Sequence, residues 1–249
     1  MALSSPKPII KRLSVAAPQR VLFVGNSYLF FGDGLHRHVR KLAVAAGFSA
    51  ENDIKYKSAT INGAILSDHV IGSYLESGKL RMKEPFEVVI LQGGSFEVLS
   101  DGAKKNFSTT VKAHHKEIAA VGAQTALYMT HAYALPHKDY APGMTAELRE
   151  LYVSTGNDIG AIVLPIGLAY AEGYRQKPDA VLHHADSNHP SLMGTYLGAC
   201  VVYASLYGKS PVGNSYDLSR AFDKVCAFDA PATRWLQDIA HQTVQEFFG

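Results

Sequence analysis

The chain has 249 residues, of which 47% are hydrophobic and 18% are charged, a balance that favours a buried globular core over a disordered segment. Its formal net charge is +2 and no run of like charges occurs, which argues against a dedicated nucleic-acid-binding protein. No apolar stretch approaches the length of a membrane span. We therefore expect a soluble globular protein.

The N-terminal 19 residues are interrupted by basic residues and prolines, so we predict no secretory signal there. We expect residues 1–19 to form a flexible extension and residues 20–249 to form a single domain, because no Pro/Ser-rich or charged linker divides them. Cys200 and Cys226 make neither a disulfide framework nor a metal site. Cys200 lies in an apolar helical run and is expected to be a small core residue. Compartment and oligomeric state carry no signal in the sequence.

The first predicted strand is the apolar run 21–24, which ends abruptly at Gly25. Such a run, bounded by a glycine, is typical of a buried strand in a parallel sheet. Asp33 is expected to cap the helix that follows, and Gly47 to end it.

Further elements follow in the same alternating order. We predict a weak strand over 53–57, a loop over 58–63, a helix near 65–75, a strand over 86–91, a helix capped by Asp101, a strand over 125–130, a helix over 145–155, a strand over 161–165, a short helix over 167–174, a helix over 191–207 and a last helix from Asp229. Strands that alternate with helices imply a parallel sheet covered on both faces. The predicted fold is a three-layer α/β/α sandwich with five parallel strands.

Ser27 directly follows the first predicted strand, at the edge of the sheet where open α/β folds bind ligands. A plain turn, with Asn26 and Ser27 serving turn and cap chemistry, is the alternative. A serine hydroxyl becomes a useful nucleophile only when a base takes its proton and a third group orients that base. Asp186 and His189 lie on one predicted turn and could supply both functions, although Asp-x-x-His also arises by chance.

These blocks resemble those of the SGNH (GDSL-type) esterases and lipases. Gly25-Asn26-Ser27 resembles their Gly-Asp-Ser block, and Asp186-Ser187-Asn188-His189-Pro190 resembles their Asp-x-x-His block. Gly63 occupies the place of their second-block glycine. The resemblance spans residues 20–207 in order and in fold pattern.

The resemblance implies a flavodoxin-like fold and a role for each matched position. Ser27 would attack the acyl carbon, His189 would act as general base and then acid, and Asp186 would orient His189. The backbone N–H groups of Ser27 and Gly63 would donate to the oxyanion. The reaction would need no cofactor and no metal, and its substrate would be a small-molecule or carbohydrate ester, with an acetyl group on a sugar as the motivated guess.

The sequence departs from the family after the third strand, where Gln92-Gly93-Gly94-Ser95 replaces the usual Gly-x-Asn-Asp block. We expect Gln92 to supply the third oxyanion donor, because its side-chain amide offers the same chemistry on a longer arm. Asn26 in place of the family's aspartate keeps hydrogen-bonding capacity and loses a charge.

Four further residues could line the pocket: Asn26, Tyr28, Ser95 and His131. Ser95 could instead be a turn serine, and His131 a structural histidine. The loop from Ala132 to Gly143 would suit a wall or a lid equally.

Three alternatives remain beside the esterase hypothesis. His183 and His184, with Asp186 and His189, could hold zinc for a metal-dependent hydrolase. A nucleotide-binding module would need a Gly-x-Gly-x-x-Gly cradle, which the loop after the first strand lacks. A relative that binds glycans with little or no turnover is compatible with the Gln92 departure.

Overall fold

The computed structural model describes residues 6–218 and 229–249. Its strands are β1 (Arg20–Gly25), β2 (Lys55–Thr60), β3 (Val88–Gln92), β4 (Gln124–Tyr128) and β5 (Ile162–Leu164). They form one five-stranded sheet in the order β2-β1-β3-β4-β5, and every pairing is parallel. This is the flavodoxin-like strand order, so the predicted five-stranded parallel α/β fold is confirmed.

The α-helices of the described residues are α1 (Leu35–Ala45), α2 (Ile71–Leu75), α3 (Asp101–Ala120), α4 (Met144–Ile159), α5 (Ile166–Gln176), α6 (Leu192–Tyr207) and α7 (Ala230–Phe248). Short 3-10 turns occur at Ser27–Leu29, Leu66–Asp68, Lys79–Arg81 and Ser95–Val98. None of the described helices combines the length and the apolar character needed to cross a bilayer.

The core divides into two clusters, one on each face of the sheet. Because successive side chains of a strand point to opposite faces, Val21 and Phe23 of β1 belong to one cluster and Leu22 and Val24 to the other. Helices α1, α5, α6 and α7 cover the first face, and α2, α3 and α4 cover the second. The three layers follow from this alternation.

Helix α6 is buried along almost its whole length, as its apolar composition predicts. Cys200 is fully buried in it, and burial raises the pKa of its thiol above the ordinary value. Cys200 is therefore a core residue rather than a reactive thiolate. Cys226 lies outside the described residues.

Several predicted boundaries were wrong, each for a local reason. Strand β2 continues through Ser58–Thr60, which were predicted as loop, because its half-exposed polar residues show little hydrophobic alternation. Asp33 does not cap α1; Gly34 does, and the Asp33 carboxylate pairs with Arg37 instead. The helix predicted near 65–75 is only a 3-10 turn followed by α2.

The cap of α3 also differs from its prediction. Ser100 is the capping residue, and its hydroxyl accepts the N–H of Ala103. Asp101, predicted as the cap, occupies the first turn of the helix, where its charge favours the helix dipole.

The predicted extension, residues 1–19, is described from residue 6 onward and lies against the domain. Ile10, Leu13 and Val15 pack on the first core cluster. The N–H of Ile9 donates to Asn157 Oδ1 at 2.9 Å, and the N–H of Gln19 donates to Glu87 at 2.7 Å.

Candidate active site

Ser27 stands where β1 leaves the core and a 3-10 turn begins. The apolar strand is fully buried up to Val24, and Asn26 then caps the turn by accepting the N–H of Tyr28 at 3.1 Å. The turn ends the strand abruptly and leaves the Ser27 side chain at the carboxyl edge of the sheet. Ligands of open parallel sheets bind at this edge.

Ser27, His189 and Asp186 come together at this edge. Ser27 Oγ lies 2.8 Å from His189 Nε2, and His189 Nδ1 lies 2.6 Å from Asp186 Oδ2. Each contact is within hydrogen-bond distance, and each uses a different ring nitrogen. If the Asp186 carboxylate accepts from Nδ1–H, then Nε2 is the unprotonated nitrogen and can accept the Ser27 proton.

The Asp186 carboxylate is held in its ionised form. Partial burial alone would raise its pKa, but the His189 ring and the backbone N–H groups of His189 and Asn188 donate to it and lower the pKa to about 2. Its Oδ1 accepts both backbone N–H groups, at 2.9 Å from His189 and 3.0 Å from Asn188. One carboxylate oxygen therefore shapes the loop while the other orients the imidazole.

Aromatic rings fix the His189 ring from two sides. Phe31 stacks on it with ring centroids 4.1 Å apart and an interplanar angle of 15°. Tyr28 meets it edge-on at 5.7 Å. Both residues come from the segment directly after Ser27, so one stretch of chain supplies the serine and holds the imidazole beside it.

The loop that carries Asp186 and His189 is strained at one position. Ser187 has a φ of 58°, a left-handed conformation that is uncommon for residues other than glycine. Its backbone carbonyl accepts the N–H of Ala134 at 2.9 Å, and its hydroxyl donates to the carbonyl of Leu135 at 3.1 Å. These bonds attach this loop, residues 183–190, to the 132–143 segment.

The predicted oxyanion donors Ser27 and Gly63 lie on neighbouring loops. Among residues 6–218 and 229–249, no hydrogen bond joins either backbone N–H to another group, so both remain available to an oxyanion. Asn26 links the two loops because its Nδ2 donates to the carbonyl of Ala64 at 3.1 Å. Gly63 has a φ of +68°, a conformation that favours glycine.

Gln92 does not point its side-chain amide into the space between the Ser27 and Gly63 loops, which we call the oxyanion opening. Its Oε1 accepts the backbone N–H of Asn26 at 2.9 Å, and its Nε2 donates to Asn26 Oδ1 at 3.0 Å and to the carbonyl of Gly93. Both N–H groups are thus in use, and the side chain is only 1% exposed. Gln92 therefore supports Asn26, and the structure does not bring it forward as a third donor.

Solved structures identify the fold that presents these residues. A protein assigned to the SGNH hydrolases from Slackia heliotrinireducens aligns with a TM-score of 0.62 at 20% identity, covering 76% of this chain and 98% of that one. A DUF4886 family protein from Bacteroides uniformis gives a TM-score of 0.69 at 18% identity, covering 90% and 94%. The acetyl xylan esterase AlAXEase gives 0.56 at 16% identity, covering 74% and 98%. The chain has the SGNH-hydrolase fold. No family model and no curated protein matches it.

Within this SGNH-hydrolase fold, the four predicted pocket residues lie beneath the site rather than on an open wall. Asn26, Tyr28, Ser95 and His131 are all buried. Ser95 is fully buried and its hydroxyl donates to the carbonyl of His131 at 2.7 Å, so it is not placed as a rival nucleophile. His131 is also fully buried, and burial, reinforced by nearby His183, lowers its pKa to about 3.

Of the histidines considered for zinc, His184 and His189 lie near Asp186, with His184 Nδ1 3.9 Å from Asp186 Oδ2, whereas His183 is bonded elsewhere. His183 Nδ1 lies 2.7 Å from the hydroxyl of Tyr174, and its Nε2 lies 2.9 Å from the carbonyl of Ala132. Burial lowers its pKa to about 4. Across the part of the chain that is described, no group of three or more His, Cys, Asp or Glu side chains could hold a metal ion.

A cavity of about 610 Å³ is lined by the 132–143 segment and the 183–190 loop. Its lining includes Tyr133, Leu135 and Tyr140 from the segment, together with His183 and Ser187 from the loop. Tyr133 stacks on His137 within the segment, with centroids 3.9 Å apart.

Sequence reasoning missed Phe31 as a support for His189 and Asn188 as a donor to Asp186. Asn188 directly precedes His189 and Phe31 follows Ser27 by four residues, and these positions could have pointed to both.

Sequence reasoning also missed a buried carboxyl group outside the site. Glu97 lies in the turn after β3, is 2% exposed, and accepts the N–H of Gly94 at 3.5 Å. Burial raises its pKa to about 7, although the Gly94 N–H opposes the shift. Nothing in the local sequence marks Glu97 as buried.

Proposed function

We propose that this protein is a serine hydrolase that cleaves a carboxylic ester through an acyl-enzyme at Ser27. The observation that carries the proposal is the continuous line of contacts from Ser27 Oγ to His189 Nε2, at 2.8 Å, and from His189 Nδ1 to Asp186 Oδ2, at 2.6 Å. The same line stands at the sheet edge of an SGNH-hydrolase fold.

The proposed reaction has two steps. Ser27 Oγ forms a bond to the acyl carbon while His189 Nε2 takes the hydroxyl proton, and the C–O bond to the alcohol then breaks as His189 returns that proton to the leaving oxygen. Water next attacks the acyl-enzyme, gives its proton to His189 and releases the acid, and Ser27 regains a proton from His189. Asp186 stays ionised and stabilises the imidazolium in both steps. In this proposal the N–H groups of Ser27 and Gly63, which make no hydrogen bond within the described residues, donate to the oxyanion.

The proposed substrate is a short acyl ester, with an acetyl group on a carbohydrate as the specific candidate. The acetyl xylan esterase among the structural neighbours supports this class. The aromatic residues after Ser27 give less support than their number suggests, because Tyr28 is buried and Phe31 lies on His189. Phe30, which is 41% exposed, and Ile61, which is 43% exposed, are the apolar side chains left to contact a substrate beside Ser27 and Gly63.

Turnover of a p-nitrophenyl ester series by the parent and by Ser27→Ala tests the proposal. We expect Ser27→Ala to lose roughly a thousandfold or more in kcat and to lose labelling by a fluorophosphonate probe. Ser154→Ala, an exposed serine on α4, is the matched control and should react as the parent does. Unchanged turnover in Ser27→Ala would refute the assignment, and activity abolished by a chelator and restored by zinc would favour metal chemistry.

The position of Gln92 favours a second candidate, a weakly active or non-catalytic SGNH-fold protein that binds glycans. With both Gln92 N–H groups bonded to Asn26 and Gly93, the proposed oxyanion site would have only its two backbone donors and would lack the side-chain donor that the resemblance implies. Loss of one such donor typically costs on the order of a hundredfold or more in rate. Binding of an acetylated oligosaccharide without labelling of Ser27 by the fluorophosphonate would select this candidate.

A further inference from the structure

We propose that Tyr28 and Asn188 are positioning residues, which hold His189 against Ser27 through a largely buried ring of hydrogen bonds. The ring consists of Tyr28, Ser95, His131 and Asn188, and we call it the Tyr28 ring. The inference rests on the proposed function, because it assigns a role in the reaction of Ser27.

Tyr28 connects the serine turn to the loop that carries the base. It directly follows Ser27, and its hydroxyl contacts both the Asn188 side-chain amide and Ser95 Oγ, the latter at 2.9 Å. Asn188 directly precedes His189. One phenol therefore joins the neighbour of the nucleophile to the neighbour of the base, across 160 positions of the sequence.

Asn188 uses its backbone as well as its side chain. Its N–H donates to Asp186 Oδ1 at 3.0 Å, and its carbonyl accepts from His131 Nε2 at 2.8 Å. His131 is in turn held by its neighbours, because its ring stacks on Tyr170 with centroids 4.4 Å apart and an interplanar angle of 11°. The position of Asn188 is thus set from three directions.

The contacts close into a ring. The Tyr28 hydroxyl donates its single hydrogen to Asn188 Oδ1. The Ser95 hydroxyl, 2.9 Å from that of Tyr28, donates to the carbonyl of His131 at 2.7 Å. His131 Nε2–H completes the ring at the Asn188 carbonyl. Hydrogen bonds connected in this way inside a protein strengthen one another.

The 183–190 loop needs the hydrogen bonds of the Tyr28 ring to keep its shape. The side chain of Asp186 is 42% exposed, so water competes for the carboxylate that orients His189. Ser187, between Asp186 and Asn188, has a left-handed φ of 58°. Because a serine disfavours this backbone conformation, other contacts must keep the loop in it. A displacement of about 1 Å between reacting groups can cost on the order of a hundredfold in rate.

The test compares Tyr28→Phe with Tyr56→Phe. Each removes one buried hydroxyl, but the Tyr56 hydroxyl bonds to Tyr207 and to the carbonyl of Pro18, at the end of β2 remote from Ser27. We expect similar losses of thermal stability. Tyr28→Phe should lower kcat on a p-nitrophenyl ester about tenfold with KM within about twofold, and slow fluorophosphonate labelling of Ser27 by the same factor. Tyr56→Phe should change neither.

A double variant tests whether the two residues act as one unit. Asn188→Ala should lower kcat by at least as much as Tyr28→Phe, and the combined variant should be no slower than Asn188→Ala alone, because one contact cannot be lost twice. The inference is overturned if Tyr28→Phe keeps more than half of the parental kcat, or if the two losses multiply. If the parent itself fails to label at Ser27, it is the proposed function that fails.

Discussion

The two sides of the candidate site are built in different ways. On one side, Asp186 and His189 lie three residues apart and reach Ser27 through a single line of side chains. On the other side, Asn26, Gly63 and Gln92 come from three different strand ends, and the two side chains bond to each other instead of pointing into the opening. On the first side Asp186 and His189 resemble the Asp-x-x-His block of the SGNH esterases, whereas on the second side Asn26 and Gln92 depart from the family pattern.

Because of this difference, we expect variants on the two sides to affect reaction rate and fold stability to different extents. A variant on the Asp186 side should change the reaction and leave the fold nearly unchanged, because its carboxylate is partly exposed. A variant on the Gln92 side should change both, since it leaves buried polar groups without partners. Kinetics and stability measured on the same variants therefore test the comparison directly.

Asp186→Asn should have the largest effect on rate. We expect kcat to fall roughly a thousandfold or more, because an amide does not hold the Nδ1–H tautomer of His189 or stabilise its cation. The folded pKa of Asp186 is about 2, below its usual value. Its stabilising contribution is therefore present at neutral pH and is lost as pH falls through that pKa. With the side chain 42% exposed, this contribution is under about 1 kcal/mol.

Kinetics and thermal melts at pH 7 check both parts of the Asp186 prediction. Asp238→Asn is the matched control, since it removes an exposed carboxylate that pairs with Arg234 on α7. A loss of less than tenfold in kcat for Asp186→Asn would show that another group orients His189.

Gln92→Ala should have a mixed effect. It leaves the buried backbone N–H of Asn26 without a partner and removes one of the two hydrogen bonds to Asn26 Oδ1, at a cost of about 1–3 kcal/mol in the free energy of unfolding. The loss of Gln92 also loosens Asn26, which joins the Ser27 turn to the Gly63 loop, so we expect kcat/KM to fall on the order of tenfold. Urea unfolding and ester turnover measure the two quantities.

Gln237→Ala is the control for this variant. Gln237 is equally buried, accepts the N–H of Gly213 and donates to the hydroxyl of Tyr196. It should lose similar stability and keep its activity. Equal kinetics for the two variants would mean that the buried amide of Gln92 has no bearing on the oxyanion side.

Glu97→Gln should have the smallest effect on turnover, because we expect it to change only the stability of the fold. The folded pKa of Glu97 is raised from 4.5 to about 7, so the folded state keeps a proton that the unfolded state has already released. The contribution of the protonated form is fully present below pH 4.5 and is lost as pH rises through 7. A glutamine has no such loss, and it should stabilise the protein at pH 8 by about 1–3 kcal/mol more than at pH 4.5.

Urea midpoints of the parent and of Glu97→Gln at the two pH values provide the measurement. Glu147→Gln, an exposed carboxylate paired with Lys104, should show no comparable dependence. The same stability difference at both pH values would mean that the buried Glu97 carboxyl titrates normally.

Sequence patterns predicted those features that depend on short stretches of chain. The apolar run of β1 and the Asp186 and His189 pair are local, and the structure brings them to one edge. The hydrogen-bond partner of the Gln92 amide is not local, because Asn26 lies 66 positions away, directly after the neighbouring strand β1. Donor chemistry alone suggested the oxyanion opening for Gln92, and it could not show that Asn26 takes both ends of the amide.

The predicted end of β2 and the predicted cap of α1 were wrong for a related reason. Among the described residues, strand β2 pairs only with β1, so its second half gains backbone hydrogen bonds without burying apolar side chains, and the hydrophobic pattern ends before the strand does. Asp33 has the right chemistry for a cap, but its φ of 70° and its ion pair with Arg37 place its carboxylate away from the first turn of α1.

The 162 positions between Ser27 and His189 have a consequence for folding. A fragment contains both members of the pair only if it runs from the turn after β1 to the 183–190 loop, so local refolding cannot bring them together. Under the proposed function, ester turnover would appear only when the long-range order of the chain is complete. The rate at which activity recovers after denaturation would then measure the last step of folding. Spectroscopic signals from the helices would report earlier steps.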